Sequence, residues 1–354
     1  MKFQSARVVG SGLIGTSIAL ALSARGVSVE VSDIDASNQA LASDLIRSAG
    51  ESAQPDLIVI ATPPTATLSA LLAEFDRSPH STFIDISGLK SDLVPQVEKF
   101  MEISQRFCAT HPMAGREKSG PESARADLFE GRAWIVVPTS ATAPEIIDSV
   151  HELIAELGAT AYQMSAQDHD AAIAAISHMP QLLSTLMGGS LLTTPENALS
   201  LAGQGLRDVS RLAASDAALW SELFLHNRNE ILPKVSELTS TLDLLAMALR
   251  DGDKDAITTF LRDGNAGVAR IPGKHGAKSR DYTYLPIVIE DKPGQLLKIF
   301  SACSEINVNV EDLSIEHSPG QESGLVTLAL SADDASRLHE HLVKSGWSAH
   351  TPRK

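Results

Sequence analysis

Near its amino terminus the chain reads Arg7-Val8-Val9-Gly10-Ser11-Gly12-Leu13-Ile14-Gly15. A short apolar run thus enters a G-x-G-x-x-G motif, and a helical pattern follows through Ser17 and Ile18. Valines then alternate from Val27 to Val31, and Asp33 follows them. Strand, glycine motif, helix, strand and acid is the order that a dinucleotide-binding fold requires. We therefore predict a Rossmann-type NAD(P)-binding domain in preference to a purely structural glycine turn.

Each part of this motif has its own physical role in the prediction. Gly10 permits a tight turn, Gly12 lets the backbone approach a pyrophosphate, and Gly15 lets helix and strand pack closely. The helix that follows begins near Leu13 and Ile14. Its first amides point at the phosphates, where they stabilise negative charge.

Asp33 predicts which dinucleotide binds. Its carboxylate can accept hydrogen bonds from the adenosine ribose hydroxyls, whereas a 2′-phosphate would face a like charge. No compensating arginine is visible nearby in the sequence, so we expect NAD rather than NADP. Thr62 and Pro63 follow a buried strand at 56–61 and join the predicted cofactor site, because they lie where that strand ends.

The alternation of strand and helix continues beyond the glycine motif. Strands are predicted at 82–86, 106–109, 133–137 and 159–163, with a helix near 145–157. Repeated βα units predict an α/β domain over residues 1–165, with a mostly parallel sheet and its ligand at the carboxyl ends of the strands.

Three further segments are predicted after this domain. Residues 166–270 show only helical pattern and open on a capping box at Ser165, so we expect an all-helical domain that packs on itself or across a dimer. Residues 271–282 are rich in Gly, Lys and Arg and are typical of a linker. Residues 283–354 predict a separate ferredoxin-like βαββαβ domain, closed by a short last strand.

Composition limits the class of protein. The 354 residues are 43% apolar and carry a net charge of -15, which argues against a nucleic-acid surface and against binding to anionic membranes. Cys108 and Cys303 are the chain's two cysteines, without metal-type spacing, so we expect no disulfide framework, no metal site and a cytoplasmic location. No apolar stretch is long enough to span a bilayer.

One stretch concentrates ionisable groups: Ala109-Thr110-His111-Pro112-Met113-Ala114-Gly115-Arg116-Glu117-Lys118-Ser119-Gly120. Two glycines and a proline predict a loop after a strand, where α/β enzymes keep their chemistry. His111 is the residue there whose ordinary pKa lies near neutrality, so it suits general acid/base work.

A second group of candidates lies in the helical region. His178 stands beside Pro180, which should kink its helix, and the imidazole is either a packed core residue or part of a pocket. Arg207 and Arg211 are predicted to share a helical face, as an exposed surface or as a bidentate clamp for a carboxylate. The other histidines, including His169 and His226, lack comparable context and are assigned to structure.

These motifs stand in an order that resembles the prephenate/arogenate dehydrogenases of tyrosine biosynthesis. The resemblance covers about the first 270 residues and rests on the segments 10–17, 85–90, 111–120, 128–131, 177–180 and 207–211. The last segment resembles an ACT domain, an amino-acid-binding regulatory module, through Asp291-Lys292-Pro293-Gly294-Gln295-Leu296 and Ile306-Asn307-Val308-Asn309.

The resemblance implies an NAD-dependent oxidative decarboxylation in a homodimer, with tyrosine as the effector. His111 would accept the proton of the substrate's C4 hydroxyl, Arg211, with Arg207 beside it, would hold a substrate carboxylate, and His178 and Trp220 would line the pocket. The family commonly orients the catalytic histidine with a hydroxyl residue. The aligned position here is Gly88, so Ser87 is the expected substitute.

Several alternatives stay open. The chain departs from the family's Ser-His-x-Pro-His pattern at Gln181, and no residue separates prephenate from arogenate. Another Rossmann-plus-helical dehydrogenase, such as a β-hydroxyacid dehydrogenase, would need a helical lysine, and none is convincing at 165–175. A non-catalytic sensor of NAD and amino acids would need neither the base nor the clamp.

Overall fold

Seven strands form the larger sheet, and the glycine motif lies at the end of the first. The computed structural model describes residues 2–47, 54–115, 120–271, 282–317 and 323–353. The chain divides into two compact units, Met1–Ala246 and Met247–Lys354. Strands β1 to β7 are Ser5–Val9, Ser28–Ser32, Leu57–Ile60, Thr82–Asp85, Phe107–Pro112, Ala133–Pro138 and Thr160–Gln163.

The order of these strands is β2-β1-β3-β4-β5-β6-β7. Every neighbouring pair is parallel except β5 and β6, which run antiparallel. The predicted mostly parallel sheet is therefore confirmed. Its helices α1 to α6 are Leu13–Ser23, Ala36–Ile46, Pro64–Arg77, Leu93–Val97, Met101–Arg106 and Pro144–Glu156.

One prediction about this sheet is wrong. The loop expected from residue 109 begins later, because β5 runs through His111 to Pro112 and pairs with β6 over its last residues. Pairing with β6 extends β5 as far as Pro112, where the strand ends. His111 therefore stands on the rigid sheet. Arg116, Glu117, Lys118 and Ser119 lie outside the described residues.

Residues 166–271, all of which are described, form helices and turns without a strand. Helices α7 to α13 are Ala166–Ile173, Met179–Ser190, Glu196–Leu199, Gln204–Ser210, Ala217–His226, Arg228–Asp251 and Lys254–Val268. The Ser165 hydroxyl accepts the amide of Asp168 and caps the first of them, as predicted. None of the described helices is long and apolar enough to cross a membrane.

The second unit contains a four-stranded antiparallel sheet of order β11-β8-β10-β9. Its elements are β8 Thr283–Glu290, α14 Gln295–Glu305, β9 Asp312–His317, β10 Ser323–Leu330, α15 Ala332–Lys344 and β11 Ser348–Ala349. This is the predicted βαββαβ order. The strand expected from Asn307 starts only at Asp312, because Asn307 adopts a φ of 53° and turns the chain. Of the predicted linker, residues 272–281 lie outside the described residues.

Candidate active site

Two of the three glycines of the motif stand where no side chain would fit. Gly10 has a φ of 104°, and a Cβ there would lie 2.4 Å from the carbonyl oxygen of Ala61 at the end of β3. A Cβ at Gly15 would lie 2.1 Å from the carbonyl oxygen of Gly10. A Cβ at Gly12 would have no atom of the described residues within 4 Å. Gly10 and Gly15 therefore serve the turn and the packing, and Gly12 leaves open space at the start of α1.

The acid of the motif, Asp33, is hydrogen-bonded to this glycine turn through Ser11. Oδ2 of Asp33 accepts the amide of Ser11 at 2.6 Å and lies 2.7 Å from its hydroxyl, and Oδ1 accepts the amide of Asp35 at 2.9 Å. Partial burial opposes ionisation, but these hydrogen bonds lower the pKa of Asp33 below its ordinary value. The carboxylate is thus charged and positioned to accept hydroxyl donors.

The remaining predicted cofactor residues surround the same turn. Leu13 and Ile14 begin α1, so their amides lie at its amino terminus, where an anion is stabilised. Pro63 caps α3, and a Cβ at Gly10 would lie 3.2 Å from the amide nitrogen of Thr62. A glycine-rich turn beside a fixed carboxylate fits a dinucleotide.

At the end of β4 a cluster of buried charges fills the space behind His111. The Lys90 and Asp85 side chains are both 0% exposed, with Nζ of Lys90 2.6 Å from Oδ2 of Asp85. Burial lowers the pKa of Lys90, and the Asp85 carboxylate counteracts this effect. Among the described residues Ser87 directs its hydrogen bonds to this cluster and to Leu89, not to His111.

The partner of His111 is another histidine. Nδ1 of His111 lies 2.9 Å from Nε2 of His169, and Nδ1 of His169 lies 2.6 Å from Oδ1 of Asp170. His169 is fully buried at the start of the helical region, in α7. Burial, reinforced by the neighbouring His169, holds the pKa of His111 well below its usual value. The His111 imidazole is therefore neutral near pH 7 and able to accept a proton.

His178 belongs to the helical region, beside Asn227. It ends a π-helical turn, Ala174–His178, which joins α7 to α8, and is 1% exposed. Its ring stands edge-on to Trp220 at 5.9 Å and also packs on Phe224. Burial lowers the pKa of His178 to about 4. Asn227 donates its amide to the Asp170 carbonyl at 2.9 Å and lies 3.1 Å from Nδ1 of His178, so it joins the two histidine groups.

The predicted arginine pair lies where an α-helix passes into a 3-10 turn. Helix α10 ends at Ser210 and a 3-10 turn begins at Arg211, so the two arginines belong to different kinds of helix. Both side chains are exposed. The buried Gln181 amide donates to the Leu212 carbonyl at 2.9 Å, which ties the turn that carries Arg211 to α8.

Sequence patterns alone missed His169, Asp170 and Asn227. His169 and Asp170 adjoin in the first helix after the sheet, directly behind the cap at Ser165. An imidazole next to a carboxylate at that junction was the signal available. No comparable signal marks Asn227, which ends α11 far along the chain.

A neutral imidazole on the same sheet as a dinucleotide turn, both at carboxyl ends of parallel strands, is the arrangement of an NAD-dependent oxidoreductase. Two family models match adjoining parts of the chain: the nucleotide-binding domain of prephenate dehydrogenase at residues 18–163, and its dimerization domain at residues 165–263. The chain belongs to the prephenate dehydrogenase family.

Known relatives agree with this assignment. This chain is 28% identical to "Probable prephenate dehydrogenase NovF" of Streptomyces niveus, over 98% of its own length and the whole of the relative. The prephenate dehydrogenase of Bacillus subtilis is 25% identical, over 96% of this chain and 95% of its own.

A solved prephenate dehydrogenase from Aquifex aeolicus, in complex with hydroxyphenyl propionate and NAD⁺, has a TM-score of 0.68. It is 25% identical and covers 76% of this chain and 98% of its own.

Proposed function

We propose that the protein oxidises and decarboxylates prephenate to 4-hydroxyphenylpyruvate. The relatives of B. subtilis and A. aeolicus carry the name prephenate dehydrogenase, which supports the substrate class. The observation that carries the proposal is the neutral His111, held by His169 at the end of β5. An alcohol cannot lose its proton unaided near neutrality, and an uncharged imidazole can take it.

In this reaction the protein itself has one proton to transfer, that of the substrate's C4 hydroxyl. Bound NAD⁺ supplies the acceptor for the hydride that leaves C4 of the ring. His111 accepts the proton of the C4 hydroxyl, while the bond from the ring to its carboxylate breaks and its electron pair makes the ring aromatic. Carbon dioxide leaves, and the proton returns to the phenolic oxygen. The glycine turn and Asp33 hold the dinucleotide in this scheme.

The substrate lies between His111 and His178 in the proposal. Trp220 and Phe224 close the apolar side around His178. Arg211, with Arg207 one helical turn before it, holds a substrate carboxylate by a two-point hydrogen bond. Ser87 acts indirectly, because its hydroxyl is bound to Asp85 at 2.5 Å.

The test is the appearance of NADH absorbance at 340 nm when the protein is mixed with NAD⁺ and prephenate. Arogenate is assayed in parallel, since a Synechocystis arogenate dehydrogenase has a TM-score of 0.63 at 25% identity, covering 75% of this chain and 98% of its own. Turnover of arogenate alone would reassign the substrate. Turnover of neither, with NAD⁺ still bound, would favour the sensor interpretation.

A homodimer is part of the same proposal. Helices α8 and α11 expose large apolar side chains, which is typical of a surface that meets another chain. These are Leu183, Leu186, Met187, Leu219 and Leu225. The family model over this region describes a dimerization domain. Sedimentation equilibrium should give twice the mass of one chain, and a monomer at micromolar concentration would contradict the proposal.

Residues 283–354 form an ACT regulatory domain in this proposal, and tyrosine is its effector. The βαββαβ order supports it, as do the motifs around Asp291 and Asn307. Millimolar tyrosine should change the rate of the full-length enzyme at saturating prephenate, and a chain ending at Ile271 should lose that response. An unresponsive full-length enzyme would contradict it.

The free thiols Cys108 and Cys303 support a cytoplasmic location.

A further inference from the structure

We infer that Asp170 and His169 form a positioning pair that holds His111 in one tautomer, protonated at Nδ1 and unprotonated at Nε2. The inference rests on the proposed function only where it assigns a consequence for catalysis. The tautomer itself follows from the hydrogen bonds of the described residues.

The carboxylate of Asp170 determines which ring nitrogen of His169 carries a proton. Oδ1 accepts the amide of Lys90 at 3.0 Å, and Oδ2 accepts the amide of Ser91 at 2.8 Å. Burial opposes ionisation, but the hydrogen bonds from His169, Ser91 and Lys90 lower the pKa of Asp170 below its ordinary value. An ionised carboxylate only accepts hydrogen bonds. Nδ1 of His169, at 2.6 Å, must therefore carry a proton and donate it.

The second step passes from His169 to His111. A neutral imidazole with its proton on Nδ1 has only an acceptor at Nε2. Nε2 of His169 lies 2.9 Å from Nδ1 of His111, so Nδ1 of His111 is the donor. Nε2 of His111 is then an unprotonated acceptor, the form that a general base requires.

The opposite arrangement needs a charged His169. A doubly protonated His169 would donate to Nδ1 of His111 and place the proton of His111 on Nε2. That would put a charge on a side chain with 0% exposure, beside an Asp170 carboxylate that already interacts with the fully buried Lys90 ammonium, with Asp85 as the other nearby acid. Burying an additional charge is costly even beside a partner.

Nε2 of His111 lies on the side of the ring that faces Gly88. A Cβ at Gly88 would lie 3.8 Å from Nε2 and 3.7 Å from Cε1 of His111, which is ordinary contact distance. The glycine therefore leaves room beside Nε2, while His169 occupies the Nδ1 side. In this chain the ring is oriented from the nitrogen opposite the reacting one.

The experiment reads the tautomer directly. In protein labelled with ¹⁵N-histidine, the two ring nitrogens of His111 are assigned by their loss in His111→Asn. Near pH 8, wild-type Nδ1 should give the shift of a protonated nitrogen and Nε2 that of an unprotonated one. A proton on Nε2 of wild-type His111 would overturn the inference without any mutant.

Two substitutions connect the tautomer to the reaction. His169→Leu removes the acceptor, so Nε2 of His111 should become partly protonated and kcat should fall about 10- to 100-fold with little change in KM. His169→Gln can place an amide oxygen near the position of Nε2 and should recover a large part of kcat. His226→Leu is the matched control, a histidine beside Asp92 on the exposed side of α11, and should change neither readout.

The two possible failures are distinguishable. If the wild-type protein has the expected tautomer but turns over neither prephenate nor arogenate, the proposed function fails and the inference stands. If the wild-type protein is active but His169→Leu keeps both the tautomer and kcat, the positioning role is wrong. Thermal unfolding and NAD⁺ binding verify that each variant is folded.

Discussion

The dinucleotide turn and the histidine site lie on the same sheet, but they are built in different ways. The turn is made of backbone, and its geometry depends on where a Cβ would collide, as at Gly10 and Gly15. The histidine site is made of side chains from β5, α7, the π-helical turn and the end of α11. The first is local in sequence, and the second gathers residues that are far apart.

This difference teaches where each site is sensitive to change. At the turn an added methyl group is harmful or harmless according to the space beside it. At the histidine site the volume matters less than which atom donates and which accepts. Substitutions at the two sites should therefore affect different quantities.

The largest expected effect is at the histidine site. His111→Asn keeps the shape and a donor but cannot take the proton, so kcat should fall by about 10²–10⁴ with little change in KM. His178→Asn is the companion variant and should mainly raise KM. If His111→Asn stays near normal and His178→Asn is inactive, the roles are reversed.

The pH profile tests the same residue. The neutral form of His111 is the active form, so kcat/KM should be flat at neutral pH and fall as the pH drops through its pKa. Burial holds that pKa well below its usual value of 6.5, so the fall should come at more acidic pH than 6.5. In His111→Asn this acid limb should disappear.

The next effect separates two glycines of the turn. A Cβ at Gly15 would overlap the Gly10 carbonyl, so Gly15→Ala should lower the free energy of unfolding by about 3 kcal/mol in urea titrations without cofactor. At Gly12 there is room for a Cβ, so Gly12→Ala should lower the free energy of unfolding by only about 0.5 kcal/mol. It should nevertheless weaken NAD⁺ binding. Equal destabilisation by the two substitutions would contradict the division of roles.

Arg211 tests whether the histidine site extends to the arginine turn. Lysine keeps the charge but loses the planar two-point fork, so Arg211→Lys should raise the KM for prephenate about tenfold and leave NAD⁺ affinity unchanged. Arg207→Lys is measured beside it. A larger rise at Arg207 would move the carboxylate clamp there, and no change at either would assign both to the solvent-exposed surface.

Asp33 tests the other end of the dinucleotide site. The charged carboxylate should oppose a 2′-phosphate, so kcat/KM should favour NAD⁺ over NADP⁺ by at least about tenfold, or about 1.4 kcal/mol. Asp33→Asn should bring the kcat/KM values for NAD⁺ and NADP⁺ closer together. Equal kcat/KM for the two cofactors in the wild type would refute the assignment.

The smallest effect is expected at the glycine beside His111. A Cβ added at Gly88 would make only contacts of ordinary length, so Gly88→Ser should change the free energy of unfolding by less than about 0.5 kcal/mol. Gly10→Ser is the contrasting variant and should destabilise strongly, because its backbone has a φ of 104°. Similar thermal midpoints for the two would break the comparison between the two sites.

Much of the architecture was predictable because it depends on local pattern. The glycine motif, the alternating valines before Asp33 and the cap at Ser165 all act within a few residues. The βαββαβ order of the last segment was visible for the same reason. The prediction was wrong at His111, where a loop was expected and a strand is found, because pairing with β6 extends β5.

By itself the sequence determined the parallel sheet, the dinucleotide turn, the helical region and His111 as a candidate base, since periodicity, glycine geometry and side-chain chemistry express these locally. Only the tertiary structure decided what orients that base. Ser87 adjoins the expected position in sequence but turns to Asp85, whereas His169 reaches Nδ1 of His111 from a helix beyond two further strands. A hydrogen bond depends on distances of about 3 Å between atoms, and spacing along the chain does not contain them until the sheet and helices have packed.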